Sequence, residues 1–166
     1  WTETNTDDKP GTYSISDGEL TLTRDGGAGN GGSLSLSIYE NIPVNETTTV
    51  QFDAKPISAN VTGGCGLYCT EYPINVILTI TLENGDSVML QYSYGNSNAE
   101  NANDPDFIRY AFGNLNDWVR NEQFVIQDAF PTAYMITEVT IFGQGWSHSG
   151  SIDNFRIFNH QGNRKF

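Results

Sequence analysis

Two kinds of side chain in this sequence can do chemistry with a ligand: aromatic rings set among amides, and carboxylates set beside turns. A flat ring stacks on the apolar face of a sugar, while amide and guanidinium groups bond its hydroxyls, and the ring supplies large contact area at little entropic cost. The rings that qualify are Tyr68 and Tyr72 around "CGLYCTEY", Tyr92 and Tyr94 in "LQYSYG", and Trp146 in the polar stretch "GQGWSHSG". Gln91, Asn96, Asn98 and Arg109 supply polar groups near them. Tyr92 and Tyr94 share a strand face with Val88 and Leu90, so core packing competes with ligand contact for that pair.

The carboxylate that stands out is Asp153 in "GSIDNFRIF". Strand alternation places it on the face of Phe155 and Ile157, in line with core side chains. Such a group is either solvated at the rim or held by something positive. Asp17, Glu19 and Asp25 sit in early turns, where Asp is also common for purely conformational reasons. Calcium takes six to eight oxygens from carboxylates, amides and main-chain carbonyls, and these four acids are its candidate ligands.

Catalysis has weaker support. A glycosidase needs two carboxylates across a cleft, and with 20 acids many such pairs arise by chance. Ser147-His148-Ser149 lacks the strand-turn-helix setting of a nucleophile elbow, and adjacency in sequence does not build a triad. Cys65 and Cys69 are not spaced as a Cys-X-X-Cys redox pair, and no further zinc ligand lies nearby in sequence. A small disulfide stapling the loop is favoured over free thiols. Asn45-Glu46-Thr47 and Asn60-Val61-Thr62 fit the glycosylation sequon.

The bulk properties bound the partners. The 166 residues carry a formal charge of −12, which argues against nucleic acid and anionic membrane surfaces. It is compatible with divalent cations and neutral ligands. No run of eighteen apolar residues occurs, so membrane insertion is not expected. One domain over residues 1–166 is expected, with residues 1–11 as an extended leader. The start at Trp1 reads as a processed chain or an excised domain. Abundant Asn, Thr, Ser, Gly and Tyr suit an extracellular β-protein.

The elements that must position these residues are strands. Runs rich in Thr, Val, Ile, Tyr and Phe predict about ten, near 12–16, 19–24, 33–39, 47–54, 74–83, 87–94, 107–112, 118–126, 136–142 and 152–158. Asp17-Gly18 and Asn84-Gly85 are hairpin turns of the kind that needs positive φ. At most one turn of helix fits "QDAFPTAY", before Pro131. Short strands with turn punctuation and no fixed repeat predict an all-β antiparallel sandwich or barrel.

In order along the chain, "SDGELTLT", "VQFDAKPIS", "NDWVRNEQFVI", "ITEVTIFGQGW" and the closing "GSIDNFRIF" resemble the jelly-roll carbohydrate-binding modules, the galactose-binding-like sandwiches of secreted glycoside hydrolases. The resemblance implies a jelly-roll sandwich, a polysaccharide or oligosaccharide partner, and a structural calcium ligated by Asp153. It also implies that Trp118 belongs to the core. The expectation is a secreted, calcium-stabilised domain that binds carbohydrate without catalysis. Two alternatives stand beside it. One is an extracellular structural subunit with the same fold, self-associating by donating its leader to a neighbour's sheet edge. The other is a glycan-active jelly-roll enzyme.

Overall fold

The computed structural model describes residues 2–5, 10–26, 32–59, 72–95, 106–112 and 114–159, with the backbone alone for residues 5, 32, 94, 95 and 107–112. Eleven strands are described: β1 (Thr2–Asn5), β2 (Thr12–Ser16), β3 (Glu19–Asp25), β4 (Gly32–Pro43), β5 (Thr48–Ala59), β6 (Tyr72–Leu82), β7 (Ser87–Gly95), β8 (Phe107–Phe112), β9 (Val119–Val125), β10 (Ala133–Gly145) and β11 (Ser147–Asn159). A single helical turn, α1 (Ile126–Ala129), precedes Pro131. The strands form a six-stranded sheet, β1-β4-β10-β6-β7-β8, and a five-stranded sheet, β2-β3-β11-β5-β9. Alternating apolar residues of both sheets meet in one core, including Leu22, Leu34, Phe52, Ile74, Leu78, Ile136 and Ile152.

The ten expected strands are all present, most of them longer than expected. The expected leader is in part a strand: β1 pairs antiparallel with β4, from Thr2 opposite Ser37 to Asn5 opposite Leu34. Thr at alternate positions fits a pleated edge. The antiparallel rule fails once, because β8 runs parallel to β7. Eleven residues separate those two strands, enough chain to return in the same direction.

The two hairpins close differently. Asp17 (φ 54°) and Gly18 (φ 89°) both take positive φ, as a two-residue turn demands. At the second hairpin only Gly85 does (φ 88°). Gly85 N–H bonds Leu82 C=O at 2.9 Å and Leu82 N–H bonds Asp86 C=O at 2.8 Å, so the loop is longer and Gly85 alone absorbs the reversal.

Three register shifts interrupt the five-stranded sheet, one of them between Ser149 and Gly150, and the other two are bulges that shape the site. Between Asp153 and Arg156 the β11 strand advances three residues while β5 advances two, from Asp53 to Gln51. On the other side of β5, β9 advances three residues, Val119 to Glu122, while β5 moves from Ala54 to Phe52. Each bulge holds an Asn in the left-handed region, Asn154 (φ 53°) and Asn121 (φ 56°), a conformation Asn tolerates better than most residues. The β11 bulge inverts the alternation. Ile152 faces the core before it, and Phe155 and Ile157 pack on the core after it. Asp153 is therefore not in line with Phe155, because one inserted residue shifts the period by one.

Candidate ligand platform on the five-stranded sheet

The outer face of the five-stranded sheet is built by the residues that alternate with its core positions. Between β3 and β11 it begins as a ladder of hydroxyls. Thr21 Oγ1 lies 2.8 Å from Ser151 Oγ, and Thr23 Oγ1 lies 2.9 Å from Ser149 Oγ. Small hydroxylated side chains pair well across strands and leave the surface flat.

Along β5 the face carries Gln51, Asp53 and Lys55, and here the two bulges converge. Asp53 Oδ1 accepts the Asn121 N–H at 2.6 Å. Its Oδ2 accepts Arg120 Nη1 at 2.8 Å and Asn154 Nδ2 at 2.9 Å. Burial of Asp53 opposes its ionisation, yet these three donors outweigh it and hold the carboxyl below the usual aspartate range. Both inserted residues thus put their Asn on the same carboxylate, one from each neighbouring strand.

The consequence is a set of outward groups with fixed positions. The Lys55 ammonium sits 4.6 Å and the Arg120 guanidinium 4.4 Å from the centroid of the Trp118 ring, attraction that a ring quadrupole supports. Lys55 Nζ also pairs with Glu19 Oε1 at 3.3 Å. A hydrogen bond from Ser151 lowers the Glu19 pKa; burial acts against that, and Lys55 and Thr21 add to the lowering. Further down the face Gln51 Oε1 accepts Arg156 Nη2 at 2.7 Å and Gln123 Nε2 at 3.0 Å, and the Arg156 guanidinium lies 5.1 Å from the Phe158 ring. Arg120, Gln123 and Arg156 are exposed, and Trp118 is half-buried.

Few of the sequence candidates fall on this face. Tyr72 and Tyr92 are core residues, 1% and 2% exposed. Tyr92 stacks on Phe124 with ring centroids 4.1 Å apart and meets Phe52 edge-on, so neither tyrosine offers a ring to a ligand. Gln91 is fully buried, with Nε2 bonded to Ser93 Oγ at 2.8 Å, so it cannot reach an external hydroxyl. Trp146 is half-buried at the β10–β11 turn, where its carbonyl accepts Arg24 Nη1 at 2.6 Å and Gly26 N–H at 2.8 Å. The backbones of Tyr94 and Arg109 lie in β7 and β8, with their side chains outside the described residues. Tyr68, Asn96, Asn98, Cys65 and Cys69 also lie outside the described residues.

Trp118 moves the other way, from an expected core residue to the β9 edge of the platform, half-buried beside Lys55 and Arg120. Sequence reasoning also passed over Asp53, Arg120 and Arg156. The available signal was a basic residue beside the tryptophan in "DWVR".

The four expected metal ligands do not converge. Asp25 pairs with Ser147 in register and accepts its hydroxyl at 2.9 Å. Asp153 is six residues further along β11, about 20 Å away at strand rise, so one ion cannot bind both. Glu19 is committed to Lys55. The Asp17-Gly18 turn does abut Asp153, since a Cβ on Gly18 would lie 3.8 Å from Asp153 Oδ1. Among the described residues, no three His, Cys, Asp or Glu side chains group as a metal site. Asp153 Oδ1 accepts the Asn154 N–H at 2.7 Å. The carboxylate lines the rim of an apolar cleft of about 470 Å³ between the sheets, walled by Tyr13, Leu20, Leu36 and Phe155 among others.

No protein-family profile and no curated protein matches this sequence. Solved structures do match in fold. A family 11 carbohydrate-binding module from Clostridium thermocellum, in complex with a β-1,3-1,4-mixed-linked tetrasaccharide, aligns with TM-score 0.51 at 9% identity, over 96% of this chain and 88% of that one. A carbohydrate-binding module of the β-sandwich superfamily, described as promiscuous in specificity, aligns with TM-score 0.50 at 14% identity, over 95% of this chain and 56% of that one. A cellulase derived from that of Rhodothermus marinus aligns with TM-score 0.50 at 12% identity, over 91% and 86%. The chain therefore has the jelly-roll β-sandwich fold found in carbohydrate-binding modules, a fold that also serves a glycoside hydrolase.

Proposed function

We propose that this chain is a non-catalytic carbohydrate-binding domain of an extracellular protein, with the glycan lying on the outer face of the five-stranded sheet across Trp118. The observation that carries the reading is the Trp118 ring, held on a sheet face by Lys55 and Arg120 and followed along that face by the exposed donors Gln123 and Arg156. A ring for stacking beside oriented amides and guanidinium groups is what pyranose recognition requires. Sugar hydroxyls exchange bonds with water for bonds with protein at small net gain, so affinity is modest. The test is a glycan array followed by NMR titration. Binding should shift the Trp118 indole and β5, β9 and β11. Silence on the array, or shifts confined to the six-stranded sheet, would end the reading. Release of reducing ends from a bound polysaccharide would convert it to an enzyme.

In this reading a calcium ion sits where the Asp17-Gly18 turn meets Asp153. Those two carboxylates and main-chain carbonyls of the turn would supply the hard oxygen ligands that calcium takes.

A second reading, self-association, is favoured by one feature. The edge strand β2 is exposed along its whole length and uncharged, with Tyr13 46% and Ile15 66% exposed. Such an edge is a template for pairing with another chain. Sedimentation velocity across a concentration series tests it, and a single monomeric species throughout would exclude it.

A further inference from the structure

The platform is less acidic than the chain as a whole, and the exposed charges beside its Trp118 and Phe158 rings are arginines. The chain has 8 Lys and Arg against 20 Asp and Glu. Three of those eight, Lys55, Arg120 and Arg156, stand on the outer face of the five-stranded sheet. By register the acids on that face are Glu19, Asp25, Asp53 and Asp153, so the local balance is three positive against four negative, a far smaller acidic excess than that of the whole chain. The two acids that touch these cations are occupied partners. Asp53 is 3% exposed and accepts three hydrogen bonds, and Glu19 is paired with Lys55.

The arginines are not used up. A guanidinium has five N–H donors. Arg120 spends one on Asp53, and its side chain remains 50% exposed. Arg156 spends one on the neutral Gln51 and faces no carboxylate within ion-pair distance among the described residues. Both are braced, Arg120 against Trp118 and Arg156 against Phe158, so little side-chain freedom is lost when an anion binds. Two braced forks with spare donors, one beside a tryptophan, suit the planar oxyanion of a carboxylate better than a neutral hydroxyl. Two further acids lie in the neighbourhood: Asp153, opposite Asp53 in the ladder and accepting the Asn154 N–H at 2.7 Å, and Asp117, exposed at the turn before Trp118 and holding Asn114 Nδ2 at 3.1 Å.

We infer that the glycan is acidic: a polysaccharide with carboxylate groups, of the uronate class, read by Arg120 and Arg156 while Trp118 stacks on a ring. This rests on the carbohydrate-binding reading above and names the chemical class of its ligand. The expected anion is a carboxylate, and a sulfate ester offers the same oxyanion chemistry.

Affinity gel electrophoresis of the intact chain tests it. The polymers are polygalacturonate, alginate, a sulfated galactan, methyl-esterified polygalacturonate and a neutral mixed-linkage glucan. The uronate polymers should retard the protein, and esterification should weaken binding about tenfold or more, the worth of a charge-assisted bond. Arg156→Gln, an exposed change, should do the same to uronate binding with the melting temperature preserved, and Arg120→Gln provides a second variant. Added salt should weaken retardation. Retention on the sulfated galactan alone would keep the oxyanion chemistry and assign it to sulfate. Equal retention on esterified and free-acid polymers, or on the neutral glucan alone, would overturn this inference and leave the carbohydrate-binding reading standing. No retention on any polymer would overturn both.

Discussion

Arg120 Nη1 lies 2.8 Å from Asp53 Oδ2, an oxygen that Asn154 reaches from the opposite strand. One buried carboxylate on β5 thereby fixes the bulges of both its neighbours. Asp53→Asn would replace one acceptor oxygen by an amide donor that faces donors already in place. We expect a loss of about 2–3 kcal/mol, the scale for an unsatisfied buried group beside a half-exposed cation. Chemical denaturation measures it. Glycan affinity should fall too, because the bulges aim Arg120 and Arg156.

Trp118→Ala and Tyr92→Ala should separate binding from folding. Trp118 is half-buried on the outer face, so its removal should lower glycan affinity about tenfold or more with a small change in stability. Tyr92 is 2% exposed between Phe52 and Phe124, so its truncation should cost about 3–5 kcal/mol. Paired calorimetry and thermal melts read both. Equal loss of affinity at matched stability would contradict this assignment.

His148 makes stability fall in mild acid. It is buried at the end of the core, where both ring nitrogens lack a partner. Burial, and then the charge of Arg24, lower its pKa from 6.5 to about 4. The unfolded chain takes up the proton first as pH falls, so stability is intact above about 6.5 and declines until about 4. The loss approaches about 3 kcal/mol. Asp53, with its lowered pKa, adds a further loss only below the ordinary aspartate range. Urea titrations at stepped pH should show the upper phase in the parent chain and not in His148→Leu.

Chelation tests the calcium proposal. An ion that binds only the folded state raises its stability, so excess chelator should lower the melting temperature and added calcium should restore it. Asp153→Asn should reduce that response. An unchanged melting temperature in chelator would refute the proposal.

Gly150 should tolerate no side chain. A Cβ there would lie 2.5 Å from the Pro73 carbonyl oxygen and 2.8 Å from Ile74 Cβ, atoms of a paired strand that cannot step aside cheaply. Gly150→Ala should cost about 3 kcal/mol by denaturant unfolding.

The strands were legible because local pattern and tertiary environment agree. The alternation in "SLSLSIY" becomes β4, and Asp17-Gly18 turns the first hairpin with both residues at positive φ. The site was much less legible. Tyr72, Tyr92 and Gln91 have the composition of a sugar site and are buried. A ring in a strand has the same sequence signature whether its face meets a ligand or the other sheet. Asp153 misled for a related reason: the period that placed it beside Phe155 assumes an unbroken ladder, and the bulge at Asn154 breaks it.

The sequence by itself determined an all-β chain of strongly acidic character and ten of its eleven described strands, because these follow from side-chain period, turn chemistry and composition, while the jelly-roll class came from the resemblance of its motifs. Tertiary structure decided which face each ring and charge occupies. Asp53, Asn121 and Asn154 are far apart in sequence. Only strand pairing brings both asparagines to one carboxylate, shifts the alternation on either side, and turns Trp118, Arg120 and Arg156 outward together.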